Sequence, residues 1–114
     1  MKKLIRNAFT LFFVLIAVLS FAQDDKINVI VFGAHPDDAD ADAGGTAIKF
    51  AQMGHNVMFV ALTNGDAGHF SMGGGALAKI RRAEAEEAGR RAGVKYVVLD
   101  NHDGELMPSL HVRL

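Results

Sequence analysis

The sequence predicts an α/β fold, a Rossmann-like three-layer α/β/α arrangement around a mostly parallel sheet. Three apolar runs have the length of strands and no clean polar alternation, as expected of parallel strands covered on both faces. Two helix-like segments separate these runs, which gives the order β-α-β-α-β that is typical of doubly wound sheets. Because such crossovers are right-handed, the loops that follow the strands share the carboxyl edge of the sheet, where these folds bind ligands.

The predicted strands are rich in apolar residues, and the first and last are rich in β-branched ones. They span 27–33 (INVIVFG), 55–62 (HNVMFVAL) and 94–99 (VKYVVL). Helices are predicted over 42–53 and 76–92, each ending before a glycine, Gly54 or Gly93, which is a common helix stop. The loops at the carboxyl edge are then 33–42, 63–75 and 100–108, and a third helix is predicted to open at Ser109.

The first 22 residues are predicted to be a secretory signal peptide. They combine a basic start (MKKLIR), an apolar run (AFTLFFVLIAVLS) and small residues before a predicted cleavage after Ala22. A membrane anchor is the alternative, since about 20 apolar residues can span a bilayer, but this run is shorter. We therefore expect export to the periplasm or the extracellular space, with no stable membrane span after cleavage.

The mature part, 23–114, has 114 − 22 = 92 residues, enough for one small core but short for an α/β enzyme domain. The whole chain has a formal net charge of −1, and loss of Lys2, Lys3 and Arg6 would make it about −4. This charge gives no case for a nucleic-acid partner. Cysteine is absent from the sequence, so disulfides and thiolate metal sites are excluded.

The densest polar cluster directly follows the first predicted strand. The stretch VFGAHPDDADADAGGT contains His35 and four aspartates within eight residues, and their repulsion must be offset by a metal ion or a helix N-terminus. His35 and Asp38 lie on a turn that Pro36 helps to fix, and an imidazole with a carboxylate suits a zinc-like ion. Asp37, held off the metal, could then act as a base on an attacking water.

Two other interpretations of this stretch stay open. Acidic residues often cap helix N-termini, which would explain Asp40 or Asp42 but not the His-Pro-Asp-Asp pattern. Asp38, Asp40 and Asp42 also follow the D-x-D-x-D spacing of calcium-binding loops. Against a calcium module, Ala43 stands where that loop needs glycine and Lys49 stands where it needs a bidentate glutamate.

The second predicted helix places two charges on its apolar face. At about 100° per residue, one face holds Leu77, Ile80, Ala88 and Ala92, and the opposite, solvent face holds Lys79, Arg82, Glu86 and Arg90. Arg81 and Glu84 fall in the middle of the apolar face, where a charge is costly unless it is paired. Either these two residues form an ion pair, or Arg81 points toward the loops and binds substrate.

Three segments in order resemble the LmbE-like/PIG-L family of zinc-dependent N-deacetylases. GAHPDDADADAGGT resembles the AHPDD motif of that family, ALTNGDAG resembles its second loop, and IRRAEAEEAGRRAGV resembles its R-x-x-E helix. The resemblance covers about residues 27–107. It implies a hydrolase that uses one Zn²⁺ per site to remove an N-acetyl (N-acyl) group from an amino-sugar-like small molecule or glycoconjugate.

The resemblance also implies roles for particular residues. His35 and Asp38 would bind zinc, Asp37 would be the general base, Arg81 would contact substrate, and Asp66 would line the same cleft. Asp40 stands where the family more often has glutamate, a mild departure.

The third zinc ligand of the family, a histidine in a later H-P-D-H-like motif, has no counterpart in this chain. His69 and His102 fall in loops at the carboxyl edge, His55 opens the second strand at the other edge, and His111 lies in the predicted third helix. We therefore expect a truncated domain, its N-terminal part only, incomplete or inactive as it stands. The alternative function is a non-catalytic carbohydrate-binding or degenerate member of the same fold.

Overall fold

The computed structural model describes Lys3, residues 5–12 and residues 26–113. Residues 5–12 are helical (α1), and the predicted cleavage site after Ala22 lies outside the described ranges. The elements that follow are β1 (Asn28–Gly33), α2 (Asp38–Gln52), β2 (Asn56–Thr63), α3 (Gly74–Ala92), β3 (Lys95–Asn101) and α4 (Leu110–Arg113). Within these ranges, no helix has the length and apolar character that a membrane crossing requires.

The three strands form one parallel sheet in the order β1-β2-β3. Val31 of β1 lies opposite Phe59 of β2, which in turn lies opposite Tyr96 of β3. The predicted β-α-β-α-β order and the parallel α/β class are therefore confirmed. As expected of parallel strands, the segments after β1, β2 and β3 all leave the sheet at its carboxyl edge.

Helices α2 and α3 pack against the same face of the sheet and share one core. Phe59, which is fully buried, lies at its centre, with its ring edge-on to Tyr96 at a centroid distance of 5.3 Å. The buried members of this core are Ala39, Ala47, Val57, Phe59, Ala61, Ala85, Tyr96 and Val98. The helices contribute mainly alanines to this core, so their backbones approach the sheet closely.

Gly89 allows the closest of these approaches. A Cβ atom at this position would lie 2.9 Å from Cβ of Tyr96 and 3.0 Å from the carbonyl oxygen of Val94, closer than real Cβ contacts. Only glycine therefore lets the C-terminal half of α3 pack directly on β3. This packing fixes the height of α3 above the sheet.

The opposite face of the sheet carries apolar side chains that the described residues leave open. Ile30 is 49% exposed, Phe32 is 65% exposed and Leu99 is 37% exposed. Because the strands are continuously apolar, the sequence predicted that both faces of the sheet are covered. Within the described ranges, α2 and α3 cover one of these two faces. The second helical layer of the α/β/α arrangement stays a prediction.

Two details of the helices differ from the sequence prediction. Helix α2 begins at Asp38 rather than at residue 42, because the acidic residues form its first turn instead of a loop. The buried face of α3 contains Leu77, Ala78, Ala85 and Gly89, whereas the predicted core residue Ile80 is 43% exposed. Because the helix packs so closely, small residues rather than a bulky isoleucine fill the contact with the sheet.

Arg82, which was predicted to face solvent, is 40% exposed and also contacts the end of β3. Nη1 of Arg82 donates a hydrogen bond to the carbonyl oxygen of Val98 at 2.8 Å, and Nη2 lies 3.3 Å from Oδ1 of Asp100. Arg82 therefore fastens α3 to the end of β3. The neighbouring Arg81 points instead toward the loops at the carboxyl edge, where it lines a cleft.

Candidate active site

The loop after β1 is folded back tightly over the end of its strand. A Cβ atom at Gly33 would lie 2.7 Å from Cβ of Asp38, so a larger residue would push the first turn of α2 away. Oδ2 of Asp38 accepts a hydrogen bond from the backbone N–H of His35 at 2.9 Å. That hydrogen bond is the main cause that lowers the pKa of Asp38, which keeps its carboxylate charged at neutral pH.

His35 and Asp38 have the spacing of two ligands of one metal ion. Nδ1 of His35 lies 3.4 Å from Oδ2 of Asp38. A tetrahedral zinc with bonds of about 2.0–2.2 Å separates two of its ligand atoms by roughly 3.3–3.5 Å. These two residues therefore fit two positions of a zinc site. Across the described part of the chain, no three His, Asp or Glu side chains form a complete metal-binding group.

Asp37 occupies the N-cap position of α2 but does not act as a cap. Its side chain makes no capping hydrogen bond and instead lies 2.5 Å from Nη2 of Arg81. The carboxylate is 58% exposed, so it is both held by Arg81 and accessible from solvent. The capping interpretation therefore does not explain Asp37.

The calcium-loop interpretation fails on backbone conformation. Asp38, Asp40 and Asp42 lie in the first turns of a helix rather than in a loop, where alternate side chains point in different directions. Asp40 is already engaged, because Oδ1 accepts a hydrogen bond from the hydroxyl of Tyr96 at 3.0 Å. Its role is to tie α2 to β3.

Arg81 forms the predicted ion pair with Glu84 and also reaches the loops at the carboxyl edge, while its contact with substrate stays a prediction. Nη1 donates to Oε2 of Glu84 at 3.0 Å, and Nη2 donates to Asp37. Its side chain is only 28% exposed. Burial lowers the pKa of Arg81, but the carboxylates of Asp37 and Glu84 outweigh burial and raise it, so the guanidinium stays charged. Arg81 therefore brings a fixed positive charge to the loops.

The loop after β2 packs directly on the first loop. Gly65 has a positive φ of 68°, and a Cβ atom there would lie 2.9 Å from Cδ of Pro36. Glycine is therefore needed at this position for both its backbone conformation and its close approach to Pro36. The contact joins two strand-to-helix loops into one wall of a cleft.

This cleft, with a volume of about 330 Å³, lies at the carboxyl edge and is formed by all three loops and α3. It contains three of the residues selected from the sequence: His35, Asp37 and Arg81. The residues that line it are His35, Pro36, Asp37, Gly65, Gly68, His69, Leu77, Arg81 and Asp103. The sequence placed residues 100–108 at this edge but gave no role to Asp103. The signal that could have selected Asp103 was its position as an aspartate in a loop expected at the cleft.

Asp66 lies beneath the cleft rather than in its lining. Its side chain is 8% exposed, Oδ1 accepts a hydrogen bond from the backbone N–H of Asp103 at 2.9 Å, and Oδ2 lies 2.6 Å from Nδ1 of His102. Both carboxylate oxygens are therefore used inside the protein. The geometry favours a structural role for Asp66, and its direct contact with substrate stays a prediction.

The His102–Asp66 pair predicts a pH dependence of stability. Its hydrogen bond to Asp66 raises the pKa of His102, and hydrogen bonds from the Asp103 backbone and then from His102 lower the pKa of Asp66. The stabilisation from His102 is complete below about pH 6.5 and is lost as pH rises through its raised pKa. The stabilisation from Asp66 is present above about pH 4 and is lost as pH falls through its lowered pKa.

We therefore expect the stability difference between the parent and His102→Gln, measured by urea unfolding, to be largest between about pH 4 and pH 6.5. It should shrink as pH rises through the raised pKa of His102, above which the imidazole is neutral. His69→Gln is the matched control, since the described residues place no carboxylate against the His69 ring. A difference for His102→Gln that stays constant from pH 5 to pH 9 would contradict this pairing.

The remaining histidines do not complete the metal site. His69 lines the cleft, and its Nδ1 accepts a hydrogen bond from the backbone N–H of Ser71 at 3.3 Å. His55 precedes β2 at the amino edge, as predicted, and packs on Phe50. Within the described ranges, neither of them nor His102 joins His35 and Asp38 as a third ligand.

Residues 30–112 match the family model PIG-L, described as GlcNAc-PI de-N-acetylase. This match covers well over half of the chain, and it includes the loops that form the cleft. The chain belongs to the PIG-L family. The resemblance predicted from the AHPDD stretch is therefore confirmed.

Three solved structures have a similar fold over most of this PIG-L chain. An N,N'-diacetylchitobiose deacetylase from Pyrococcus horikoshii, complexed with an inhibitor, is 41% identical with a TM-score of 0.71, and the match covers 78% of this chain and 34% of that one. The 4-carboxy-2-hydroxymuconate hydratase GalB from Pseudomonas putida is 25% identical with a TM-score of 0.67, over 75% of this chain and 38% of that one.

A conserved protein from Thermus thermophilus is 28% identical with a TM-score of 0.61, over 73% of this chain and 36% of that one. The PIG-L chain thus spans little more than a third of the length of each of these three structures.

Proposed function

We propose that this PIG-L chain provides the His-Asp half of the active site of a zinc-dependent N-deacetylase that acts on an amino-sugar-like substrate. The main observation is the 3.4 Å separation of His35 Nδ1 and Asp38 Oδ2, which fits two zinc ligands beside the accessible carboxylate of Asp37. The 41% identity to a diacetylchitobiose deacetylase supports the N-acetylated sugar as the substrate class.

Different residues of the cleft have different roles in the proposed hydrolysis. A bound Zn²⁺ would supply Lewis acidity and lower the pKa of an attacking water. Asp37 accepts a proton from that water at its solvent-accessible carboxylate and later delivers a proton to the leaving nitrogen, so that amide and water become acetate and amine. Arg81 holds Asp37 in place through a hydrogen bond from Nη2, which orients its carboxylate toward the cleft.

A carbohydrate-binding role without catalysis is the competing proposal. The similarity to a hydratase raises a second possible reaction, the addition of water to a substrate. The test uses a version of the protein that spans the whole family domain, incubated with zinc and diacetylchitobiose. We expect release of acetate and of a free amine in equal amounts, with Asp42→Asn as a control from the same acidic stretch outside the cleft lining. Sugar binding without acetate release would support the binding role and refute the enzyme.

We further propose that the protein acts outside the cytoplasm, because its first 22 residues have the pattern of a signal peptide. N-terminal sequencing of the protein recovered from the periplasm or medium should then begin at Gln23. A soluble cytoplasmic protein that begins at Met1 would refute export.

Arg81→Ala should lower kcat/KM by about 10–100-fold, because it removes a charge-assisted hydrogen bond that orients Asp37, and such bonds contribute about 1.5–3 kcal/mol. Glu84→Gln is the matched control: it weakens the other contact of Arg81 and leaves the contact with Asp37 intact. We expect its kcat/KM to stay close to that of the parent. If Arg81→Ala lowers only the melting temperature while the folded fraction keeps its kcat/KM, the residue is structural.

A further inference from the structure

Asp103 contacts His35 across the cleft, although the two residues are far apart in sequence. Its side chain is 12% exposed, and Oδ1 lies 2.9 Å from Nε2 of His35. An ionised carboxylate can only accept hydrogen bonds, so this contact is a hydrogen bond when Nε2 of His35 carries the proton. The contact therefore favours one of the two tautomers of the neutral imidazole.

The other ring nitrogen of His35 faces Asp38. The 3.4 Å between Nδ1 and Oδ2 exceeds the usual length of an N–H···O hydrogen bond. A neutral imidazole has only one N–H, and Asp103 engages it, so Nδ1 presents its lone pair on the side of Asp38. A lone pair and a carboxylate that face each other repel until a cation lies between them, which is the arrangement that a metal site needs.

Asp103 is itself held in position from below. Its backbone N–H donates to Oδ1 of the buried Asp66, and Oδ2 of Asp66 holds the neighbouring His102 at 2.6 Å. The backbone carbonyl of Asp66 also accepts a hydrogen bond from Gly74 at the start of α3, at 2.9 Å. The loop after β3 is thus fixed to the loop after β2, and the carboxylate of Asp103 reaches His35 from a supported backbone.

We infer that Asp103 is a positioning residue that fixes the tautomer and the ring orientation of His35. As a result, the unprotonated Nδ1 presents its lone pair to a metal ion beside Asp38. Histidines that bind metals usually give their other N–H to a carboxylate or carbonyl, and losing that partner typically lowers metal affinity or activity by about 10–100-fold. The tautomer part of this inference stands without the proposed function, whereas the part about metal affinity rests on it.

Nitrogen-15 NMR of the histidine rings tests the tautomer directly, without metal and without turnover. Two-bond ¹H–¹⁵N spectra of the chain are recorded at about pH 8.5, where an ordinary imidazole is neutral, and the His35 signals are assigned by their loss in His35→Gln. We expect the Nε2–H form in the parent. In Asp103→Ala we expect a shift toward the Nδ1–H form, because this substitution removes the acceptor at Nε2 and leaves Asp38 as the carboxylate beside the ring.

Asp100→Ala is the matched control from the end of β3, since the carboxylate of Asp100 contacts Asn64 and Arg82 rather than His35. It should leave the His35 spectrum unchanged. An Nδ1–H form in the parent would overturn the inference, so the test survives even if Asp103→Ala folds poorly. An unchanged tautomer in a folded Asp103→Ala would overturn it as well.

Zinc titrated into the same samples gives the second measurement, read from the shift of the His35 nitrogen signals. We expect the midpoint for Asp103→Ala to lie about 10–100-fold higher in zinc concentration than for the parent and for Asp100→Ala. Equal midpoints would overturn the part of the inference about metal affinity. The expected tautomer in this chain, combined with no acetate release by the version that spans the whole family domain, would refute the proposed function and leave the tautomer assignment standing.

Discussion

We expect Asp37→Asn to lower kcat by about 10²–10⁴ at saturating zinc, because asparagine cannot accept the proton of the attacking water. Asparagine keeps the size of the side chain and an oxygen that can accept from Arg81, so the loop should keep its shape. Asp37 is not one of the proposed ligands, and zinc affinity should therefore stay close to that of the parent. Steady-state kinetics in a version that spans the whole family domain, with zinc affinity measured separately, test both statements.

The absence of rescue distinguishes a base from a ligand. Raising the zinc concentration should not restore the activity of Asp37→Asn, because the missing group is a proton acceptor. The side chain makes no capping hydrogen bond, so helix α2 should lose about 1 kcal/mol or less of stability. Turnover by Asp37→Asn at the rate of the parent would show that Asp37 is not the base.

Asp38→Asn should produce the opposite pattern, with a loss of zinc affinity of roughly 10-fold or more and partial recovery of activity in excess zinc. An amide oxygen is a weaker, neutral donor than a carboxylate, whereas it can still accept the hydrogen bond from His35 that closes the loop. The measurement is zinc affinity by calorimetry together with kcat at low and high zinc.

Asp42→Asn again provides the control for Asp38→Asn, since it removes one charge from the same acidic stretch without touching the cleft lining. Its zinc affinity should match that of the parent. If Asp38→Asn binds zinc as tightly as Asp42→Asn does, Asp38 is not a ligand. A loss of stability without a change in zinc affinity would instead indicate that Asp38 serves only to hold the loop.

The part of the candidate site that was predictable lies in one short stretch. His35, Asp37 and Asp38 are local in sequence, so a turn after a strand is enough to bring them together, and the structure places them around one loop. Arg81 could be selected because a charge on an apolar helix face needs a partner. The identity of that partner was only half predicted, since Glu84 is local and Asp37 comes from another loop.

The contacts of Asp103 and Asp66 could not be predicted from the sequence. Their contacts join residues that are distant in the chain, and no periodicity or spacing encodes which of several loop aspartates reaches His35. Likewise, the exposure of Ile80 and the contact of Arg82 with Val98 depend on how closely α3 approaches the sheet, which Gly89 permits. Each of these outcomes follows from packing distances that exist only after the elements have assembled.

The sequence by itself determined the strand and helix order, the parallel sheet and the edge at which the polar loops meet. Hydrophobic periodicity, helix-ending glycines and the fixed handedness of crossovers are local or topological rules, and a sequence contains all of them. The tertiary structure alone decided that Asp103 faces His35, that Arg81 also holds Asp37, and that Asp66 is buried as support. Those choices depend on hydrogen-bond distances of about 3 Å between separate loops, and only the folded chain sets distances on that scale.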